Sequence, residues 1–121
     1  MPSKVLLVDD HPDIRRLMAI TLGNQYELLQ AQDGHTALAL VQQHLPQVVL
    51  LDIMMPGAMD GLEVLDAIKA DPQTRHISVA MLTARGQSSD QHDALRRGAD
   101  AYFLKPFSPL KVVNWVRDQI K

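Results

Sequence analysis

The stretch Val48-Val49-Leu50-Leu51-Asp52 decides how the chain folds. Four apolar residues in succession, bounded by Pro46 before and Met54-Met55-Pro56-Gly57 after, read as a short strand buried on both faces. A carboxylate at the end of such a strand is costly to place unless something compensates it. The pattern occurs twice, because Lys4-Val5-Leu6-Leu7-Val8 reads as another buried strand and runs into Asp9-Asp10. In an open parallel sheet the C-terminal ends of the strands line one edge, and ligands bind there. With the two strands adjacent, Asp9, Asp10 and Asp52 converge as an acidic cluster. Two carboxylates about 4 Å apart repel by about 4 kcal/mol at an effective dielectric of about 20, so such a cluster invites a cation. Oxygen ligands favour a hard ion, Mg2+ first.

Composition sets the outer bounds. A length of 121 residues suits one domain with a real core. Hydrophobic residues at 46% and charged residues at 21% are ordinary for a soluble globular protein. A formal net charge of −2 offers no basic patch for nucleic acid and no polybasic membrane signal. With no cysteine there is no disulfide framework, thiol chemistry or Cys-based metal site. No apolar run approaches the ~20 residues of a membrane span, and strand-like sequence by Val5 leaves no room for a signal peptide. A cytoplasmic location is the expectation.

Further along, Asp13 to Leu22 carries Ile14, Leu17, Met18 and Leu22 at helical spacing, closed by Gly23-Asn24. Tyr26 to Gln30 reads as a more polar strand at an edge, and Asp33-Gly34 as a turn. His35 to Leu45 reads as a helix with Ala37, Leu38, Val41 and Leu45 inward, stopped by Pro46. After the central strand and its loop, Leu62 to Ala70 buries Leu62, Leu65 and Ile68. Ile77 to Leu82 is a fourth strand, ending at Thr83. Ser88 or Ser89 caps a helix to Arg97 whose only clear core residues are Ala94 and Leu95, so it is expected to be loosely held. Ala101 to Leu104 is the fifth strand, followed by Lys105-Pro106. Ser108-Pro109 opens a last helix to Ile120. Its inward stripe reads as Val113, Val116 and Ile120 with Leu110, leaving Val112 and Trp115 either as a docking patch or as cover for the sheet edge. Five strands alternating with five helices predict a doubly wound, flavodoxin-like α/β sandwich with a parallel five-stranded sheet in the order 2-1-3-4-5.

In that order, Asp9 and Asp10, Asp52, Thr83 and Lys105 share one edge of the sheet. A metal, carboxylates, a hydroxyl and an ammonium together form a kit for phosphoryl chemistry, with Asp52 placed as the oxygen nucleophile. Here the chain resembles the receiver domain of two-component response regulators, CheY-like in fold. The resemblance rests on Val8-Asp9-Asp10, Leu51-Asp52-Ile53-Met54-Met55-Pro56, Met59-Asp60-Gly61, Leu82-Thr83-Ala84, Gly98-Ala99-Asp100-Ala101-Tyr102 and Leu104-Lys105-Pro106-Phe107. It implies that Asp52 accepts a phosphoryl group from the phosphohistidine of a histidine kinase or phosphotransfer protein. It implies Mg2+, or Mn2+, held by Asp10, Asp52 and the backbone carbonyl of Met54, with Asp9 acting mainly through water. Lys105 would pair with Asp52 and then with phosphate oxygens, and the Lys105–Pro106 bond would be cis. Thr83 would bond a phosphate oxygen, and Tyr102 would turn inward as Thr83 moves. The output would be an unidentified protein partner or onward relay of the phosphate, with a homodimer through the last two helices possible. No direct nucleic-acid or membrane partner is expected.

Two departures stand out. The loop Met55-Pro56-Gly57-Ala58-Met59-Asp60-Gly61 is one residue longer than the family's commonest form, and neither Met54 nor Arg85 supplies a carboxylate or amide beside the site. His11, next to the acidic pair, reads as a solvated loop histidine. The expectation is therefore a stand-alone receiver, a switch that turns over no external substrate. Two rivals are weaker. An aspartyl-phosphate phosphatase or phosphotransferase would usually carry a second acid where Met54 stands, and a pseudo-receiver would not need the full set of Asp9, Asp10, Asp52, Thr83 and Lys105.

Overall fold

The computed structural model describes residues 2–55, 57–84 and 88–120, except for the side chains of residues 83, 84 and 88–91. The strands are β1 (Lys4–Val8), β2 (Glu27–Ala31), β3 (Val48–Asp52), β4 (Ser78–Ala84) and β5 (Ala101–Lys105). Between and after them run α1 (Pro12–Leu22), α2 (Gly34–His44), α3 (Gly61–Ala70), α4 (Ser88–Arg96) and α5 (Pro109–Gln119). All strand pairs are parallel, in the order β2-β1-β3-β4-β5, which is the expected flavodoxin-like arrangement. Among the described residues, no helix is long and apolar enough to cross a membrane.

Alternation along each central strand produces two cores. Leu6 and Val8 of β1, with Val49 and Leu51 of β3, face Val41 of α2 and Leu65 and Ile68 of α3. Val5, Leu7, Val48 and Leu50 point the other way, onto Met18 and Leu22 of α1 and Val112 and Val116 of α5. This two-sided burial is why β1 and β3 are unbroken apolar runs.

The helix starts carry local signals. His11 occupies the N-cap of α1 and Pro12 its first turn, where a missing N–H costs nothing. Asp33, read as a turn residue, accepts a hydrogen bond from the Thr36 amide and caps α2. Asp60 and Glu63 form a reciprocal capping box that starts α3, and Ser108 caps α5 ahead of Pro109. The expected cap of α4 by Ser88 or Ser89 falls on side chains outside the described ones.

Several inward assignments are corrected. Leu45 sits beyond α2 in a left-handed conformation (φ 49°) and is half exposed, because the helix ends one residue before it. Leu17 of α1 and Leu95 of α4 are also exposed, and among the described side chains of α4 Ala94 is the buried one. In α5 the stripe is rotated. Val112 and Val116 are fully buried, whereas Leu110 is 67% exposed. Trp115 packs edge-on against Phe103 (centroids 6.2 Å apart, interplanar 74°), so it covers the β5 edge, and Val112 belongs to no exposed patch.

At the end of the sheet where β4 begins, Lys69 of α3 ties three segments together. Its Nζ donates to the Ile77 carbonyl (2.7 Å), the Arg75 carbonyl (3.0 Å) and Asp100 Oδ2 (3.2 Å). Asp100 Oδ2 also accepts the Val79 amide at 2.8 Å. Arg97 bridges Asp66 of α3 (3.0 Å) and Asp93 of α4. The corrected stripes predict a contrast. Leu65→Ala, in a fully buried position, is expected to cost about 2–5 kcal/mol in urea unfolding. Leu110→Ala is expected to stay within about 0.5 kcal/mol of wild type. Equal losses at both positions would contradict the assignment of the α5 face.

Candidate functional site

Register brings the site together. Val8 lies opposite Leu51, so Asp9 follows β1 at the level where Asp52 ends β3. On the other side of β3, Asp52 pairs with Leu82, Leu82 with Phe103, and Ala84 with Lys105. One ligand atom from each of Asp9, Asp10, His11 and Asp52 falls within 4.8 Å of all the others.

Lys105 organises the buried carboxylates. Its Nζ lies 2.9 Å from Asp9 Oδ2 and 3.4 Å from Asp52 Oδ1, so it spans both acids and sits closer to Asp9 than the expected Asp52 pairing. Asp9 and Asp52 are only 2% and 3% exposed. Burial pushes the Asp52 carboxyl up to about 6 from an ordinary 3.8, the Asp9 charge adds to this, and Lys105 pulls against it. Burial alone would lower the Lys105 ammonium, but its hydrogen bond to Asp9 and the charges of both acids outweigh this and raise its pKa. The Lys105–Pro106 peptide bond is cis.

His11 is more than a solvated loop residue. Its amide donates to Asp9 Oδ1 (2.9 Å), and its Nδ1 lies 3.0 Å from the same oxygen and 3.2 Å from Asp10 Oδ1. The hydrogen bond to Asp9, then the Asp10 and Asp9 charges, raise the imidazole pKa. Arg15 Nη1 donates to the Asp9 carbonyl at 2.7 Å and fixes the chain before the cluster. Neither the spacing of Arg15 from Asp9 nor the residue type of His11 would have revealed these contacts.

Two oxygens decide whether the site suits a cation. Asp10 Oδ1 and Asp52 Oδ2 are buried and have no hydrogen-bond partner among the described residues. Unpaired buried carboxylate oxygens are costly, and a hard divalent ion satisfies them in the way oxygen donors allow. The residues fit such an ion. Beside them lies a groove of about 450 Å³ lined by Asp10, Met54, Met55, Gly57, Asp60 and Glu63. The Met54 side chain is largely exposed, and its amide donates to Asp52 Oδ1 at 3.3 Å. Tyr102 is 38% exposed. Thr83 pairs with Leu104 in the β4–β5 ladder, but its side chain, like Arg85, lies outside the described ones.

Gly61 is a site residue whose role the motif did not explain. A Cβ there would lie 2.0 Å from the Asp52 carbonyl oxygen, and the Gly61 amide bonds the Ile53 carbonyl at 2.9 Å. The start of α3 therefore presses directly on the backbone carrying Asp52.

The sequence profile of the response regulator receiver domain matches residues 5–117. The chain belongs to this family, the receiver domains of two-component response regulators, in which phosphorylation-based switching is general and which act as signalling switches rather than classical enzymes. It is 41% identical over 118 residues to the response regulator PleD of Caulobacter vibrioides, covering 97% of this chain and 26% of that protein. It is 37% identical to the phosphate regulon transcriptional regulatory protein PhoB of Escherichia coli, covering 97% of this chain and 51% of that protein. The chain thus spans between a quarter and a half of these relatives. Among solved structures, a putative response regulator from Chloroflexus aurantiacus superposes with a TM-score of 0.91 at 31% identity, covering 98% of both chains. The chemotaxis protein CheY4 of Vibrio cholerae gives 0.89 at 30% identity, covering 99% of this chain and all of that one.

Two measurements check this site. A raised carboxyl pKa means that the folded state holds the proton more tightly than the unfolded chain. Ionised Asp52 therefore destabilises the fold above pH about 6, and that cost fades as pH falls from 6 toward 4. Asp52→Asn is expected to stabilise by about 1–2 kcal/mol at pH 8, after allowance for solvent screening, and by almost nothing at pH 4. The opposite pH trend in thermal melts would contradict the assignment. Gly61→Ala, which in an open helix would be favourable, is expected to destabilise by about 1–3 kcal/mol in urea unfolding, because its Cβ meets backbone. A neutral or stabilising result would show that α3 does not press on Asp52.

Proposed function

We propose that Asp52 accepts a phosphoryl group from the phosphohistidine of a histidine kinase or phosphotransfer protein, and that the phosphorylated chain switches a partner. The observation that carries this reading is the buried Asp52 carboxylate, whose Oδ2 has no hydrogen-bond partner among the described residues while its Oδ1 lies 3.4 Å from the Lys105 ammonium. In the transfer, the bond from an Asp52 oxygen to phosphorus forms as the phosphorus–nitrogen bond breaks, and the imidazole leaves with the electron pair. Lys105, already between Asp9 and Asp52, is placed to neutralise a phosphoryl oxygen. Asp10 and Asp52, with the Met54 carbonyl, would hold Mg2+ or Mn2+, Asp9 acting mainly through water. A bound ion would neutralise the other phosphoryl oxygens.

The phosphoryl group adds roughly −1.5 to −2 charge and three acceptor oxygens. Thr83, next in register to the strand position beside Lys105, is the hydroxyl assigned to follow those oxygens. Tyr102, exposed on β5, is the ring assigned to respond. Reversing a 1:99 equilibrium takes about 5.5 kcal/mol of differential binding. A few charge-assisted hydrogen bonds of about 1.5–3 kcal/mol each supply that. Exposed Tyr102 and Leu104 on β5, with Leu110 on α5, offer the apolar surface for the output protein or a second copy.

Intact mass after incubation with acetyl phosphate and Mg2+ tests the reading. A single phosphoryl adduct is expected on the wild type, lost with chelator and absent in Asp52→Asn. A wild type that takes no adduct, and whose spectrum beryllofluoride leaves unchanged, would favour a pseudo-receiver that binds partners without phosphorylation.

A further inference from the structure

We propose that His11 Nδ1 is an additional ligand of the cation site, so that this receiver takes a first-row transition ion of the Zn2+ class more readily than an all-oxygen site would. The inference rests on the reading above that Asp10 and Asp52 hold a cation.

The two basic side chains divide the carboxylate oxygens between them. Lys105 occupies Asp9 Oδ2 and approaches Asp52 Oδ1. Of the oxygens it leaves, Asp52 Oδ2 is buried without a partner among the described residues, and Asp10 Oδ1 is buried with no hydrogen bond there beyond the 3.2 Å approach of the His11 ring. His11 Nδ1 lies on that remaining side, 3.2 Å from Asp10 Oδ1 and 3.0 Å from Asp9 Oδ1. One potential donor atom from each of Asp9, Asp10, His11 and Asp52 lies within 4.8 Å of the others. Ligands on opposite sides of a first-row ion stand about 4 Å apart, given bonds of about 2.0–2.2 Å, so a small side-chain rotation suffices to close the set.

The ring is also held in place. Its own amide bonds Asp9, and its backbone is the N-cap of α1, immediately before Pro12. The side chain is 64% exposed, so a proton displaced from the imidazole by a metal escapes directly to solvent. One imidazole nitrogen added to carboxylates shifts preference from Mg2+, which takes oxygen donors and keeps its waters, toward Zn2+.

Calorimetric titration of Mg2+ and Zn2+ into the whole chain, with and without His11→Ala, tests this. A doubly substituted Asp10→Asn/Asp52→Asn protein serves as control, and the nitrogen resonances of the His11 ring provide a direct readout. Loss of His11 is expected to weaken Zn2+ binding by about tenfold or more while changing Mg2+ binding by less than about twofold. The His11 Nδ1 resonance is expected to shift in proportion to Zn2+ bound. Zn2+ binding that is unchanged in His11→Ala but lost in the carboxylate control would overturn the inference and leave the cation reading intact. Zn2+ binding that survives the carboxylate control would place the ion on other histidines and overturn it as well. Failure of both ions to bind the wild type would overturn the cation reading along with it.

Discussion

The Lys105 ammonium between Asp9 and Asp52 is the contact on which the rest of this molecule depends. Two carboxylates almost without solvent access, at the ends of neighbouring hydrophobic strands, repel each other and lack hydration. Nζ at 2.9 and 3.4 Å offsets part of that cost from a third strand end. The compensation is incomplete, and the incompleteness is chemically useful. Asp52 keeps a raised pKa and a free oxygen, the condition of a group waiting for a cation and an electrophile.

The sheet order makes that contact possible. Asp9, Asp52 and Lys105 are far apart in sequence and come from β1, β3 and β5, with β4 between the last two. Parallel pairing throughout brings every strand's C-terminal end to the same edge. Two cores, one on each face, hold the strands in register tightly enough for these charged groups to meet.

Much of this was legible in the sequence, because a strand buried on both faces is an unbroken apolar run and its terminal carboxylate has few explanations. Val48–Asp52 and Lys4–Val8 therefore defined the sheet, and the acidic cluster followed from strand order. Helix faces were harder to read. Periodicity places Leu17, Leu95 and Leu110 on apolar stripes, yet which side of a stripe meets the sheet depends on the axis of the helix, and sequence does not encode that axis locally. In α5 the choice fell on Val112 and Val116 because Trp115 reaches Phe103 at the sheet edge. The position of His11 was also out of reach. Its ring is brought to the acids by a hydrogen bond of its own backbone, while the residue type alone reads as solvated. Gly61 stood in a recognisable motif, but its reason is a backbone contact with Asp52 that only three dimensions reveal.

Lys69 gives the molecule a mechanical polarity. With each of its three donors engaged, it rivets α3 to the turns that precede β4 and β5, at the end of the sheet away from the acids. A body riveted at one end is a cantilever. Among the described residues, the acids at the opposite edge have no such rivet on the strand ends, so the two edges of the sheet are held by different means: a cross-link of main-chain carbonyls at one, and charge compensation by Lys105 at the other.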